Sequence, residues 1–386
     1  MSDPNKHIGI VTIFNVNNFG AELQAYATQK AMQNLGYDAE IIDLPYYKSP
    51  NFKREKESYP FFPLPTAVKL KEKVAALRRG LKYKFSSRKF KRRIEKFEQF
   101  HRENTRFSQQ RYEGISALYN TPPQYDVYCV GSDQVWNPYN YVSLYPYFLT
   151  FSPDNARRMS YASSFGVSSV PAAAKPVFSE CLSKLSAISV REQAGVTLVK
   201  ELCDKPATLV CDPTLLLRSA DWEQVEKKIE DLPSSYVLVY DLHPIPYLWV
   251  AAEHIARLLN LPIVRINSEN ARKYAGGVNL EDIGPAEFLY LFRHATFVVT
   301  NSFHGTAFSI NFQKDFYCIL SRTQRNNSRQ LSLLDTCKLS HRALYEDATL
   351  PSAEELSISY VEATDCLEQF RRTSIDFIKN AIDGPQ

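Results

Sequence analysis

Along most of this chain, short apolar runs that stop abruptly at small polar residues alternate with stretches of helical apolar spacing. His7 to Phe14 reads as a buried first strand. It ends in Asn15-Val16-Asn17-Asn18-Phe19-Gly20, a loop rich in residues that tolerate left-handed backbone. Ala21 to Leu35 reads as a helix with Leu23, Ala27, Ala31 and Leu35 on one face, ended by Gly36. Ala39 to Asp43 is the second strand, and the four pieces form one βαβ unit of a parallel sheet. Tyr46 to Gln110 is an insertion, first Pro- and aromatic-rich, then basic and helical. Asp126–Val130, Arg158–Ala162, Lys184–Ser189 and Thr208–Val210 continue the sheet. They run into Gly131-Ser132-Asp133, Ser163-Ser164, Arg191-Glu192 and Cys211-Asp212. In an open parallel sheet that stacks polar side chains along one edge, where ligands bind.

A second α/β half begins near Ser235. Its strands are expected at Tyr236–Tyr240, Ile263–Ile266, Phe297–Thr300 and Phe316–Leu320, with helices at Leu248–Leu259 and Pro285–Arg293. The pattern predicts an α/β protein of two doubly wound, Rossmann-like domains facing a cleft. The expected divisions are residues 1–217, with the basic helical insertion at about 46–115, and 218–350. A helical segment at 351–386 would pack back on the first domain.

Composition adds limits. A 44% hydrophobic and 13% aromatic content supplies a core and excludes a disordered chain. The seven cysteines form no C-x-x-C pair, which fits buried thiols in a reducing compartment better than a disulfide framework or zinc site. The polar start and the lack of a long uncharged apolar run predict a cytoplasmic protein. The net charge of +4 hides an asymmetry. Lys69 to Arg111 holds sixteen Lys/Arg against four Asp/Glu, a local +12, so the remainder is about −8. Val68, Val74, Leu77, Leu81, Phe85, Phe90, Ile94, Phe97 and Phe100 run through this stretch, largely at helical spacing. Such a region can make peripheral contact with an anionic membrane or form a solvated helical face. Nucleic acid is not expected as a partner, since no recognition motif accompanies the charge.

Candidate chemistry concentrates in Val298 to Thr306. A strand stops at Asn301-Ser302, exposes His304 on a turn, and restarts as a helix over Ala307–Phe312. A histidine there can titrate near neutral pH, and a helix N-terminus behind Gly305 suits an anion. The alternative is a helix cap by Asn301, Ser302 or Thr306 with His304 idle. G-x-G-x-x-G, the P-loop, D-x-D and histidine-pair motifs are all missing. Arginine, histidine and backbone dipoles are therefore expected to carry the chemistry, without metal or cofactor.

Asn18-Phe19-Gly20-Ala21-Glu22-Leu23-Gln24-Ala25-Tyr26-Ala27, Gly131-Ser132-Asp133-Gln134-Val135-Trp136-Asn137, Ser189-Val190-Arg191-Glu192, Asp212-Pro213-Thr214 and Asn301-Ser302-Phe303-His304-Gly305-Thr306 occur in the order seen in polysaccharide pyruvyl transferases. Over residues 7 to 345 the chain resembles that family. The resemblance implies a fold of GT-B type and transfer of the carboxyvinyl unit of phosphoenolpyruvate to a sugar, leaving a pyruvate ketal. It implies His304 as acid/base and Arg191 as a donor ligand, with Ser163 and Ser164 in a turn near the donor. Better-known members read Arg-Leu-His where this chain has Ser302-Phe303-His304, so Arg322 or Arg329 is expected to supply the missing cation. Asp133 could serve as a base or orient His304. Asn18, Gly20, Ser132, Asn301, Ser302 and Gly305 are further substrate-binding candidates, each with a structural turn or cap as its alternative. Tyr139, Tyr141, Tyr145 and Tyr147 could stack on a sugar or simply pack.

The expected partners are phosphoenolpyruvate and a saccharide precursor of a surface polysaccharide, free or lipid-linked. Two rivals stand beside this reading: a GT-B glycosyltransferase using a nucleotide sugar, and a non-catalytic scaffold that has lost its donor site.

Overall fold

A computed structural model describes residues 6–49, 51–53, 70, 74–75, 78, 87–139, 145–266, 277–323 and 327–384. Most of the basic stretch before Ser87, and Tyr141, lie outside these residues. The chain divides into two compact units. The first is Met1–Arg88, His101–Leu216 and Thr373–Gln386; the second is Lys89–Phe100 and Leu217–Arg372. The insertion therefore does not stay with the first half of the sequence, as its position suggested. Twelve of its residues belong to the second unit.

The first unit is built on five parallel strands: β1 His7–Val11, β2 Asp38–Asp43, β3 Phe107–Arg111, β4 Val127–Val130 and β5 Arg157–Ser160. Their order is β3-β2-β1-β4-β5. Short strands β6 Ser189–Val190 and β7 Thr208–Leu209 pair with each other, and bridges Met159–Ala187 and Ser163–Val190 continue the series beyond β5. β1 and β4 are apolar on both faces because helices cover both sides. Ile8 and Ile10 enter one core with Met32, Met159 and Tyr161, while Val11 and Val130 enter another with Trp136, Phe148 and Phe178. Helix Phe19–Asn34 starts where the Asn18 side chain accepts the Ala21 N–H, and the chain leaves it through Gly36 at φ +95°.

The second unit repeats the plan with β8 Val237–Tyr240, β9 Ile263–Ile266, β10 Val278–Leu280, β11 Phe297–Thr300, β12 Asp315–Leu320 and β13 Ala343–Tyr345. The order is β10-β9-β8-β11-β12-β13, and every pairing is parallel. Helix Pro246–Leu259 opens on a proline and ends at left-handed Asn260. In helix Pro285–His294 the Glu287 carboxylate accepts the Gly284 N–H at 3.0 Å, closing the first turn.

Three strands were not expected. β3 lies inside the basic stretch read as helical, and its alternating Phe-Ser-Gln-Gln-Arg is an edge strand on β2. β10 and β13 are three-residue, half-buried edges with no apolar run to announce them. The described residues include all seven cysteines, and none of them forms a disulfide. Among the described residues no helix is long and apolar enough to cross a membrane.

The last helix, Val361–Asp383, contributes its residues from Thr373 onward to the first unit. Ile378, Ala381 and Ile382 join the Ile8–Ile10 core there. Arg157, buried on β5, donates from Nη1 to the carbonyls of Ala381 (3.0 Å) and Ile382 (2.9 Å). A cation on the last carbonyls of a helix satisfies orphan acceptors and opposes the negative dipole end. Arg157→Met should therefore lower unfolding free energy by about 2–4 kcal/mol in urea titration, since each charge-assisted bond contributes about 1.5–3. A loss under about 0.5 kcal/mol would show that the C-terminal helix is held by its apolar face alone.

Candidate active site

In both sheets the central pair of strands, β1/β4 and β8/β11, is the point where successive connections diverge to opposite sides. The crevice outside those carboxyl ends is where such sheets bind ligands. The chain leaves each central strand in polar loops that must satisfy buried backbone groups.

In the first unit one helical side chain ties the two loops together. Gln24 Nε2 donates to Thr12 Oγ1 (2.8 Å), Ile13 O (3.0 Å) and Ala21 O (2.9 Å), and its Oε1 accepts the Ser132 N–H at 3.1 Å. Glu22, fully buried, accepts the N–H groups of Asn15 (3.2 Å) and Val16 (2.7 Å) and meets His101 Nε2. Neither residue was singled out from the sequence. The available signal was two polar side chains among the mostly small and apolar residues of the helix's first two turns. Asn18 is spent as a helix cap, and Gly20 is buried inside the helix rather than open to a ligand.

Gly131 turns the chain after β4 at φ +123°. A Cβ there would lie 2.1 Å from the Tyr161 carbonyl oxygen, so only glycine fits. The next loop residues bridge sideways, Asp133 to Ser163 and Ser163 to Val190. The Ser132 hydroxyl donates to Ala162 O (2.8 Å), that of Ser163 to Val130 O (3.1 Å), and that of Ser164 to Glu192 Oε1 (2.9 Å). Glu192 also accepts the Phe165 and Gly166 N–H groups. All three serines are fully buried. Their expected role at a substrate is therefore corrected: their hydroxyls brace the loops. Trp136 is likewise structural, stacked on Phe148 with Nε1 donating to Tyr147 O at 2.9 Å. Tyr147 is buried, while Tyr139 and Tyr145 are exposed.

Arg191 lies at the centre of this edge. Its Nη1 donates to Asp212 Oδ2 at 2.6 Å and its Nη2 to Asp133 Oδ1 at 3.1 Å, with the side chain 1% exposed. Burial works against the charge, but the Asp212, Asp133 and Glu192 carboxylates outweigh it and hold the pKa above the usual arginine value. Asp212 in turn accepts Thr214 Oγ1 at 2.7 Å and Thr214 N at 3.0 Å. The donor-ligand expectation for Arg191 meets a guanidinium enclosed by two acids of its own unit. The contacts it makes position Asp133.

In the second unit Asn301 does what Gln24 does in the first. Its Oδ1 accepts the Leu242 N–H and its Nδ2 donates to His243 O, both at 2.8 Å, stitching the loop after β11 to the loop after β8. Ser302 caps helix Phe303–Asn311 by accepting the Gly305 N–H at 3.2 Å. A Cβ on Gly305 would sit 2.4 Å from Thr300 Oγ1, so the glycine permits close strand–helix packing. The helix starts four residues earlier than expected. His304 is consequently in its first turn and 7% exposed, not displayed on a loop. Its ring stands edge-on to Phe303 at 5.2 Å.

Arg329 and Arg322 separate clearly. Arg329 is buried with its guanidinium 5.7 Å from the Phe303 ring. His243 senses it: burial first, then the Arg329 charge, pull the His243 pKa below its usual value. Arg322 is 61% exposed at the side chain, pairs with Asp347 at 3.0 Å and covers Tyr345. Arg329 thus approaches the His304 motif, and Arg322 is a surface ion pair. Among the described residues, no group of three or more His, Cys, Asp or Glu side chains could hold a metal ion.

Removing Arg191 would leave Asp212 buried without its cation. Arg191→Ala should cost about 3–5 kcal/mol in denaturant unfolding, and adding Asp212→Asn should restore a substantial part. A double variant no more stable than the single one would refute the charge argument.

Comparisons with known proteins agree with this geometry at the level of fold and family. No curated protein matches the chain. A provisionally assigned UDP-N-acetylglucosamine 2-epimerase of Listeria monocytogenes is 9% identical, with 97% of this chain and 90% of that one covered and a TM-score of 0.50. Arabidopsis thaliana UGT89C1 complexed with UDP-L-rhamnose is 10% identical, with 98% and 99% covered and a TM-score of 0.49. At such identity the first shows the fold alone, two Rossmann-like parallel sheets of GT-B type. The profile of polysaccharide pyruvyl transferase matches residues 18–322, which include the Gly131, Arg191 and His304 motifs. With most of its length matched, the chain belongs to the polysaccharide pyruvyl transferase family.

Proposed function

We propose that this transferase moves the carboxyvinyl unit of phosphoenolpyruvate onto two hydroxyls of a saccharide precursor of a surface polysaccharide, forming a pyruvate ketal. The observation that carries the reading is His304, held in the first turn of a capped helix at the central strand ends of the second sheet, with Arg329 beside the same turn. Phosphoenolpyruvate presents a carboxylate and a phosphate on three carbons. A buried arginine and a helix N-terminus are the groups that bind such a molecule.

In the proposed reaction His304 gives a proton to the methylene carbon, and C2 becomes oxocarbenium-like. A sugar hydroxyl adds to C2 and loses its proton. The C2–O bond to phosphate then breaks with the electron pair on phosphate. A second hydroxyl adds to C2 and closes the ketal, its proton leaving with the phosphate. Atoms balance without a redox partner, and neutralisation of the phosphate falls to Arg329 and the backbone. No divalent metal or other cofactor is required.

The family supports a saccharide acceptor; its attachment to lipid and a peripheral membrane contact by the basic stretch are further parts of the proposal. Its scope has narrowed. Lys89, Arg92 and Lys96 form ion pairs with Glu281, Asp282 and Glu287, and Arg93 is buried. Few of the cations on this helix are left to face a lipid surface.

Phosphoenolpyruvate should raise the melting temperature, and nucleoside diphosphates should not. The reverse pattern would favour a nucleotide-sugar enzyme. His304→Gln and His304→Ala should lower turnover by about two orders of magnitude or more with the fold intact, as expected for loss of a positioned acid. Near-normal turnover in either variant would remove His304 from the mechanism. EDTA should leave the rate unchanged; loss of activity restored by Mg²⁺ or Mn²⁺ would contradict a metal-free reaction.

A further inference from the structure

The reaction above gives one proton to the methylene carbon and takes another from the attacking hydroxyl. His304 supplies the first, and the second needs a base at the same strand ends. β8 and β11 stop at paired residues: Tyr240 is the partner of Thr300, and the Thr300 hydroxyl donates to the Tyr240 carbonyl at 2.7 Å. Neighbouring strands lie about 4.8 Å apart, so the two loops leave side by side. His243 stands three residues beyond Tyr240, and His304 four beyond Thr300.

The loop that carries His243 is fixed by its backbone. Asn301 Nδ2 donates to the His243 carbonyl, and Asn301 Oδ1 accepts the Leu242 N–H, both at 2.8 Å. The Asn301 carbonyl in turn accepts Gln330 Nε2 at 3.3 Å, from helix Ser328–Thr336, which also carries Arg329. Pro244 disfavours a helical backbone at His243. The side chain, by contrast, is uncommitted. His243 is exposed, and among the described residues no hydrogen bond or ion pair engages its imidazole. Other histidines are engaged: His7 by Asp38 and Glu40, His101 by Glu22, His254 by the Pro351 carbonyl and His294 by Glu226. His341 precedes β13 and so lies at the opposite edge of the parallel sheet.

Two charged groups act on the His243 ring. Partial burial and the Arg329 cation lower its pKa below the usual histidine value, and Asp241 on its own loop opposes them. A neutral imidazole at neutral pH is a proton acceptor. We propose that His243 is the general base of the acceptor half of the reaction, taking the proton of a saccharide hydroxyl seated in the crevice outside β8 and β11. A lone pair of the hydroxyl oxygen forms the bond to C2, the O–H pair stays on oxygen, and the proton moves to the imidazole. Solvent returns that proton to His304. Of the two hydroxyl protons, one thus ends on the methyl carbon and the other on phosphate. The step rests on the donor reading above and adds to it a residue outside the shared motifs. It places acid and base on adjacent loops of one sheet.

Turnover of phosphoenolpyruvate with methyl hexopyranosides as acceptor probes, and calorimetry with phosphoenolpyruvate, test the step on the full chain. His243→Gln fills the space and takes up no proton. It should lower kcat by about 10²-fold or more with phosphoenolpyruvate affinity unchanged, as loss of a positioned base implies. His243→Ala should fall as far and recover part of the loss when imidazole is added. A base works only when neutral, so wild-type activity should decline as pH falls through the His243 pKa. That acid limb should be gone from the residual activity of His243→Gln. A kcat within about twofold of wild type in His243→Gln, with phosphoenolpyruvate still bound, would overturn the base and leave the donor reading standing. A large loss in His243→Ala that imidazole did not relieve would also overturn it, by assigning the residue to loop placement. If wild type bound no phosphoenolpyruvate, the donor reading would fall and this step with it.

Discussion

A parallel sheet whose strand order reverses at its centre leaves two loops side by side at the carboxyl ends, with backbone groups that neither strand nor helix satisfies. Each sheet here meets that constraint with one carboxamide. Gln24 reaches from a helix to the loops after β1 and β4, and Asn301 reaches from the loop after β11 to the loop after β8. A carboxamide suits the task because it both donates and accepts, so one side chain closes bonds in two directions. With those loops pinned, the residues following them inherit fixed positions: Asp133 in the first unit and His304 in the second. Asn301, expected to touch substrate, contributes through this geometry.

Charge in the first unit is arranged by the same logic of internal satisfaction. Arg191 is buried between Asp212 and Asp133, and Asp212 is itself satisfied by Thr214. Glu192, one residue on, gathers Ser164, Phe165 and Gly166. The motif Ser189-Val190-Arg191-Glu192 thus supplies two oppositely charged side chains that brace different loops. Asp133 is left-handed at φ +66°, and its carboxylate keeps one face toward Arg191. The Arg191 guanidinium thereby fixes the direction of that carboxylate.

Much of this plan was legible in the sequence. The central strands, the helices after them and the motifs at their ends follow from apolar runs and helical periodicity, which report burial directly. Ile263–Ile266 and Phe297–Thr300 agree residue for residue with the pattern. What escaped lacks such a signal. β10 and β13 have only three half-buried residues each, so periodicity has nothing to act on. His304 was placed on an exposed turn because Ser302-Phe303-His304-Gly305 reads as polar interruption; the N-cap geometry of Ser302 extends the helix back over it. The serines after β4 and β5 look identical in sequence whether they face a ligand or the protein itself; their hydroxyls donate to the carbonyls of Ala162 and Val130 and to the Glu192 carboxylate.

The basic insertion shows a different limit. Composition counts charges but not their partners, and an acidic set some 190 residues away has no sequence relation to Lys89, Arg92 and Lys96. Amphipathicity likewise marks which helical face is apolar without saying what covers it. Arg93 belongs by charge to the polar face and by position to the apolar one. Arg93 is 5% exposed on the helix face of Phe97 and Phe100, while Lys89, Arg92 and Lys96 on the neighbouring face meet acidic partners, so what separates basic residues of one helix is what each packs against, which local sequence does not encode.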